Sequence, residues 1–213
     1  MADATAKPIT ETWQPISWQG FCQLAQQPEY EKGRFYFDHG CMKLEMTPLG
    51  INHSRDNSVV ARLISLFATL NQISVLELTN VTLRRSQKQE AQPDSSFYLG
   101  NRDAFPPRSN EPINLDQYPP PSLVIEIAST TLSDDLGQKR LLYERLGVKE
   151  YWVIDTNNAK VTAFEMIDGG SRTRDISQVL PTLEIAIVEE ALARSRYQDD
   201  GEVNRWLIKC FSE

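Results

Sequence analysis

Apolar residues recur along this chain in two rhythms. From about Asn52 to Asn71, Val59, Val60, Leu63, Ile64, Phe67 and Leu70 form one stripe at helical spacing, which predicts the longest helix. A shorter helix is expected from Ser17, an N-capping residue type, to about Gln27, with Trp18, Phe21, Cys22 and Leu24-Ala25 at the same spacing. Other apolar runs are too short for helices and rich in β-branched residues. Arg34 to Met46 reads as two strands around Asp38-His39-Gly40, where glycine accepts the positive φ of a tight turn. Strand-like runs follow at 73–84 and 92–99. A proline-rich loop then leads to a strand at 122–128, a Ser/Thr/Asp turn at 129–135 and a helix over 136–146. Strands at 150–155 and 160–166 read as a hairpin, and a short strand and two weakly amphipathic helices complete the tail.

The order helix, three strands, helix, strand predicts an α/β layer with a mixed central sheet and peripheral N- and C-terminal helices. The later helix would cross between 122–128 and 150–155. Residues 1–16, polar and holding Pro8 and Pro15, read as a loose arm. Residues 17–190 then form the main domain, and 191–213 a helical extension.

Composition narrows the function classes. The 213 residues suffice for one α/β domain with a sizeable core, and 40% hydrophobic content is ordinary for a globular protein. Neither a signal peptide nor an eighteen-residue apolar span is visible. Cys22, Cys41 and Cys210 are scattered, without CxxC spacing, so reduced thiols in a cytoplasmic protein are expected. A net charge of −7 argues against a general nucleic-acid coat protein. It leaves a nuclease open, with Arg84, Arg85, Lys88 and Arg102 as a candidate phosphate-facing patch.

Within Leu123-Val124-Ile125-Glu126-Ile127-Ala128, one carboxylate interrupts an otherwise apolar strand. An ionised Glu126 buried there needs a cation or strong donors; at an exposed end of the sheet it would need neither. Asp94, after Pro93, reads either as a turn aspartate bonding its own backbone or as a partner of Glu126. On a helical wheel Lys139 shares the sheet-facing stripe of Leu142, Tyr143 and Leu146, so it should pair with Asp135, Glu126 or Asp94, or snorkel to solvent. His53 lies in line with Asn57, Val60, Ile64 and Phe67. By position alone it reads as a satisfied histidine near a helix start. Tyr151-Trp152 reads as core.

Pro93-Asp94, then Pro121 to Ser129 with Glu126 inside, then Asp135, Lys139 and Tyr143, and then Gly147 to Asp155 together resemble the Uma-type family. That family is assigned to the endonucleases of the PD-(D/E)XK restriction-endonuclease-like superfamily. The Asp38-His39-Gly40 hairpin and the Gly50-x-x-His53 entry to the long helix are similar as well, and the likeness spans roughly residues 17–190. It implies a DNA endonuclease fold in which Asp94, Glu126 and the carbonyl of Ile127 hold Mg²⁺, with Mn²⁺ as a substitute. Lys139 would orient the attacking water or stabilise charge on the phosphate. For His53 the resemblance implies a base, a phosphate contact or an auxiliary ligand instead. The superfamily lysine two residues after the glutamate is replaced here by Ala128, so Lys139 would supply that charge from the following helix. Gln138 stands where the family often has an acid. The resemblance also leaves room for a catalytically degenerate member that binds nucleic acid or regulates, and for a hydrolase acting on another substrate. A homodimer is a further expectation, with Leu192, Trp206 and Ile208 as candidate contacts.

Overall fold

The computed structural model describes residues 9–212; positions 1–8 of the expected arm, and Glu213, lie outside the described residues. The first strand, β1 (Gln14–Pro15), pairs with Cys41 and Met42, so the part of the arm within the described residues is anchored rather than loose. Helix α1 (Trp18–Ala25) starts where the Ser17 side chain accepts the N–H of Gly20 at 3.1 Å. It buries Phe21 and Leu24 against Phe35, Phe37, Met42 and Leu44. Those four residues alternate along β2 (Arg34–Asp38) and β3 (Cys41–Glu45), the two strands of a hairpin. Its turn holds His39 and Gly40 at φ of 48° and 74°, as a two-residue primed turn requires.

Helix α2 (Ile51–Leu70) buries Val59, Val60, Leu63, Ile64 and Phe67 as the stripe predicts, whereas Leu70, at its C-terminal end, is 42% exposed. The apolar run 73–84 is two strands, because Asn80 turns the chain with φ 52°. Strand β4 (Val75–Thr79) joins one sheet and β5 (Leu83–Arg85) another. The short strand β6 (Gln89–Ala91) follows, then β7 (Ser95–Leu99) after Pro93-Asp94, and the proline-rich loop contributes β8 (Ile113–Asn114). Strand β9 (Leu123–Ala128) precedes a helix in three parts. These are α3 (Leu132–Asp134), a π turn over Asp135–Lys139, and α4 (Arg140–Leu146), which Gly147 ends at φ 82°. Strands β10 (Glu150–Asp155), β11 (Lys160–Ile167) and β12 (Gly170–Thr173) lead to α5 (Ile185–Ser195) and α6 (Asp200–Ser212).

The fold is α/β with two mixed sheets, where the sequence led us to expect one. The central sheet has the order β12-β11-β10-β9-β7-β4, and the three-part helix crosses between parallel β9 and β10. The second sheet, β1-β3-β2-β6-β5-β8, extends the expected hairpin by strands of only two or three residues (β1, β5, β6 and β8), too short to reveal themselves by periodicity. Alternation along β9 sorts its side chains between two cores. Leu123, Ile125 and Ile127 pack with α2, α5 and α6, and Val124 and Ala128 pack with α4 and Tyr36 of the hairpin. Helix α5 runs through position 190, and Leu192, Val203 and Leu207 bury themselves in the core formed by α2. Among the described residues, no helix is long and apolar enough to cross a membrane.

Candidate active site

Glu126 is 2% exposed, in a strand flanked on both sides by β7 and β10, so it does not stand at an exposed end of the sheet. It points away from the α2 core, toward α4 and the hairpin. In the β7–β9 register Ser95 faces Ile125; one residue further, Asp94 falls opposite Glu126. Directly opposed residues of an antiparallel pair have Cβ atoms about 5 Å apart. Asp94 is not a self-bonding turn residue, since its Oδ2 accepts the N–H of Ile127 across the strands at 2.8 Å.

Three further elements close on this pair. The first turn of α2 brings His53 Nε2 to 3.2 Å from Asp94 Oδ2, close enough for electrostatic pairing, although neither ring nitrogen makes a well-aligned hydrogen bond. The π turn and α4 bring Lys139 and Tyr143. The Tyr143 hydroxyl donates to Glu126 Oε1 at 2.6 Å, and Lys139 Nζ lies 3.7 Å from the same oxygen. Lys139 is also 3.0 Å from Asp135 Oδ1, the partner four residues back that the sequence offered. At 1% exposure it does not snorkel.

The hairpin is the contribution that sequence reasoning missed. Arg34 Nη1 reaches Asp94 Oδ1 at 2.5 Å, and its Nη2 lies 3.3 Å from Glu45 Oε2. Glu45 Oε1 is 2.8 Å from Lys139 Nζ and 3.0 Å from Lys43 Nζ. Lys43 continues to Asp134 Oδ2 at 2.7 Å, and Trp13 Nε1 donates to Asp134 Oδ1 at the same distance. Tyr36 receives the Lys139 ammonium over its ring, 4.3 Å from the centroid, and donates its hydroxyl to the carbonyl of Gln92. The available signal was the period-2 set Arg34, Tyr36, Lys43 and Glu45, opposite the apolar Phe35, Phe37, Met42 and Leu44. Such a polar face ordinarily meets solvent; here it meets Asp94 and Lys139.

Burial pushes the Glu126 carboxyl up to about 8; Lys139 opposes the shift, and Asp94 and Asp135 add to it. Burial also works on Asp94, but contact with His53, the Arg34 guanidinium and the Ile127 N–H outweigh it and hold that carboxyl at about 2. Burial alone would depress the Lys139 ammonium. Glu126, Tyr36, Asp135 and Glu45 overcome that and hold it well above its ordinary value. The two acids facing each other are thus driven in opposite directions, a division that marks functional carboxylate pairs.

Divalent-cation binding can be tested against this donor set. Five carboxylates (Glu45, Asp94, Glu126, Asp134 and Asp135) face three cations (Arg34, Lys43 and Lys139), an excess of two negative charges when all are ionised. Among the described residues no group of three or more His, Cys, Asp or Glu side chains has metal-holding geometry. Side chains alone therefore make no such site, and metal binding here would require a further donor. Asp94, Glu126 and the Ile127 carbonyl are hard oxygen donors of the kind Mg²⁺ prefers. Chemistry and charge both fit that ion. Ala128 is fully buried in the core that also holds Tyr143 and Tyr151, and Lys139 brings its ammonium from the helix side.

Two other candidates stand apart from this cluster. Arg84 pairs with Glu90, and Arg85 donates to the carbonyls of Arg145 and Leu146, so half of the expected basic patch is committed within the fold. Tyr151 and Trp152 are fully buried in the core, as read.

Comparison with known proteins follows the same lines. A family model described as "Uma2: Putative restriction endonuclease" matches residues 18–196. The fold is similar to that of a solved structure described as a putative nuclease belonging to DUF820 from Anabaena variabilis. Identity is 17% and the TM-score 0.55, with 91% of this chain and 99% of that one covered. No curated protein matches the chain.

Proposed function

The chain belongs to the Uma2 family, described as putative restriction endonucleases, and from that premise we propose that it is a metal-dependent DNA endonuclease hydrolysing phosphodiester bonds at Asp94, Glu126 and Lys139. Family and fold together support a nuclease-like function. The observation that carries the finer reading is the convergence of Asp94 and Glu126 across β7 and β9, with the Lys139 ammonium 3.7 Å from Glu126.

Asp94, Glu126 and the Ile127 carbonyl would hold Mg²⁺, or Mn²⁺ in its place. The bound ion supplies a polarised phosphodiester oxygen and a water of lowered pKa. The chain's own groups do the rest. The Tyr143 hydroxyl fixes the orientation of the Glu126 carboxylate, and the Ile127 N–H fixes that of Asp94, with His53 Nε2 3.2 Å away. Lys139, held charged by its carboxylates, stabilises negative charge that builds on the phosphate. A homodimer would cut both strands. Leu192 is committed to its own core and Trp206 packs against it under Arg194, so of the expected contacts Ile208 is the exposed one.

The near-complete burial of Glu126 and Lys139 favours a second reading. In it the cluster is an ionic core inside a degenerate nuclease fold that binds nucleic acid or regulates. Incubating supercoiled and linear duplex DNA with the protein, in Mg²⁺ and in EDTA, separates the two. The endonuclease reading expects Mg²⁺-dependent nicking that disappears in folded Asp94→Ala and Lys139→Ala proteins. Undiminished cutting in both variants overturns the assignment, and DNA binding without any cutting favours the second reading.

A further inference from the structure

The proposed site leaves Arg34 without a role. We propose that Arg34 is a phosphodiester-binding residue held in reserve: its guanidinium neutralises Asp94 until a divalent cation takes that oxygen, and it then turns to the DNA phosphate. The inference rests on the endonuclease reading above.

Three observations lead to it. Asp94 has two carboxylate oxygens, and Oδ2 is already occupied by the Ile127 N–H and faced by His53. Oδ1 is therefore the oxygen open to a cation, and Arg34 Nη1 sits on it at 2.5 Å. A cation arriving there must displace the guanidinium or share the oxygen with it. The second observation concerns reach. The side chain of Arg34 is 17% exposed, against 2% for Lys139 and 3% for Lys43, so it alone of the three cations borders solvent. A phosphate approaching the cluster meets Arg34 first.

The third is chemical. An arginine guanidinium is not deprotonated in proteins, so Arg34 carries its charge whether it faces Asp94 or a phosphate. Its planar fork of donors matches two phosphate oxygens, a match that a lysine ammonium lacks. Glu45 Oε2, 3.3 Å from Nη2, would tether the guanidinium near the site after it leaves Asp94. The exchange also leaves no charge unpaired: the divalent ion replaces Arg34 at Asp94, and Arg34 pairs with the incoming anion.

Two binding measurements on two variants test this. Mn²⁺ is titrated calorimetrically into DNA-free wild type, Arg34→Gln and Arg34→Lys. Affinity for a short DNA duplex is then measured in Ca²⁺, which resembles Mg²⁺ in ligand preference. Arg34→Gln should bind Mn²⁺ about tenfold more tightly, because one competing positive charge a few ångströms away is gone. It should bind the duplex about tenfold more weakly, through the lost bidentate phosphate contact. Arg34→Lys retains the charge. It should keep near-wild-type Mn²⁺ affinity and still lose duplex affinity, which also covers the case in which the glutamine variant does not fold. Weaker Mn²⁺ binding by Arg34→Gln, or unchanged duplex affinity in both variants, overturns the proposal and leaves Arg34 a structural ion pair. Failure of wild type to bind any divalent cation overturns the metal site itself, and this inference with it.

Discussion

Replacing Lys139 by methionine removes one ammonium from the centre of the cluster and keeps most of its volume. The Nζ lies 2.8 Å from Glu45, 3.0 Å from Asp135, 3.7 Å from Glu126 and 3.3 Å from the Tyr36 hydroxyl, with all of these residues buried. Each of the nearer contacts is worth roughly 5 kcal/mol at an effective dielectric near 20, offset in large part by desolvation of the ions. The net cost of stranding a buried charge is about 3–5 kcal/mol. Proton uptake limits the loss: Lys139 lowers the pKa of both Glu126 and Asp135, so without it their carboxyls hold protons to higher pH. The sign follows. Protonated carboxyls need no cation, so the deficit shrinks as pH falls from 8 toward 5. In a chain of this size each kcal/mol shifts the thermal midpoint by about 2–4 °C, which gives a drop of roughly 6–20 °C at pH 7.5. Thermal and urea unfolding of wild type, Lys139→Met, Glu126→Gln and the double variant would measure it. The double variant should recover part of the loss only above pH 8, because Glu126, already pushed up to about 8, is stranded as a carboxylate only there. A Lys139→Met protein within 1 kcal/mol of wild type at pH 7.5, with no pH dependence of the difference, would refute the charge balance drawn for this site.

Two further outcomes are expected elsewhere in the fold. Burial pushes the Asp56 carboxyl from 3.8 up to about 6, against the pull of Arg196, His53 and Arg55. The folded state then binds more protons than the unfolded one between those values, and wild type loses stability as pH rises through them. Asp56→Asn should match wild type near pH 4 and gain on it to a plateau above pH 6 in thermal unfolding; a constant difference contradicts this. Glu150, fully buried, accepts from Trp152 Nε1, Ser177 Oγ and the N–H groups of Gln178 and Val179. Glu150→Gln sets an amide NH₂ against donors on whichever side it turns. It should cost about 2–3 kcal/mol in urea unfolding, and an unchanged midpoint would show that this loop is held by other means.

Legibility in the sequence followed the physics of each element. The α2 stripe and the apolar β9 run were readable because burial imposes a period over many residues. The opposition of Asp94 and Glu126 depends on register, which neither segment encodes alone, and only their departure from apolar surroundings drew attention to them. Wheel geometry placed Lys139 beside Leu142, Tyr143 and Leu146, and those residues are buried together even though Lys139 lies in a π turn rather than a regular helix. The turn carries no local signature that would have announced it. Arg34, Tyr36, Lys43 and Glu45 escaped notice for the opposite reason. Their alternation is clear, but an alternating polar face looks the same whether it meets water or a second polar surface. Beyond the hairpin, the second sheet was invisible because strands such as β5, β6 and β8 are two or three residues long and too short to show a period.

Diffraction from crystals soaked in Mn²⁺, collected at the manganese absorption edge, tests the central claim most directly. The account predicts one anomalous peak between β7 and β9. Asp94 Oδ1, a Glu126 oxygen and the Ile127 carbonyl should lie about 2.1 Å from the ion, the spacing of a small octahedral cation, with Arg34 swung off Asp94. An empty site with the Arg34–Asp94 pair intact, or manganese bound only elsewhere, would contradict it.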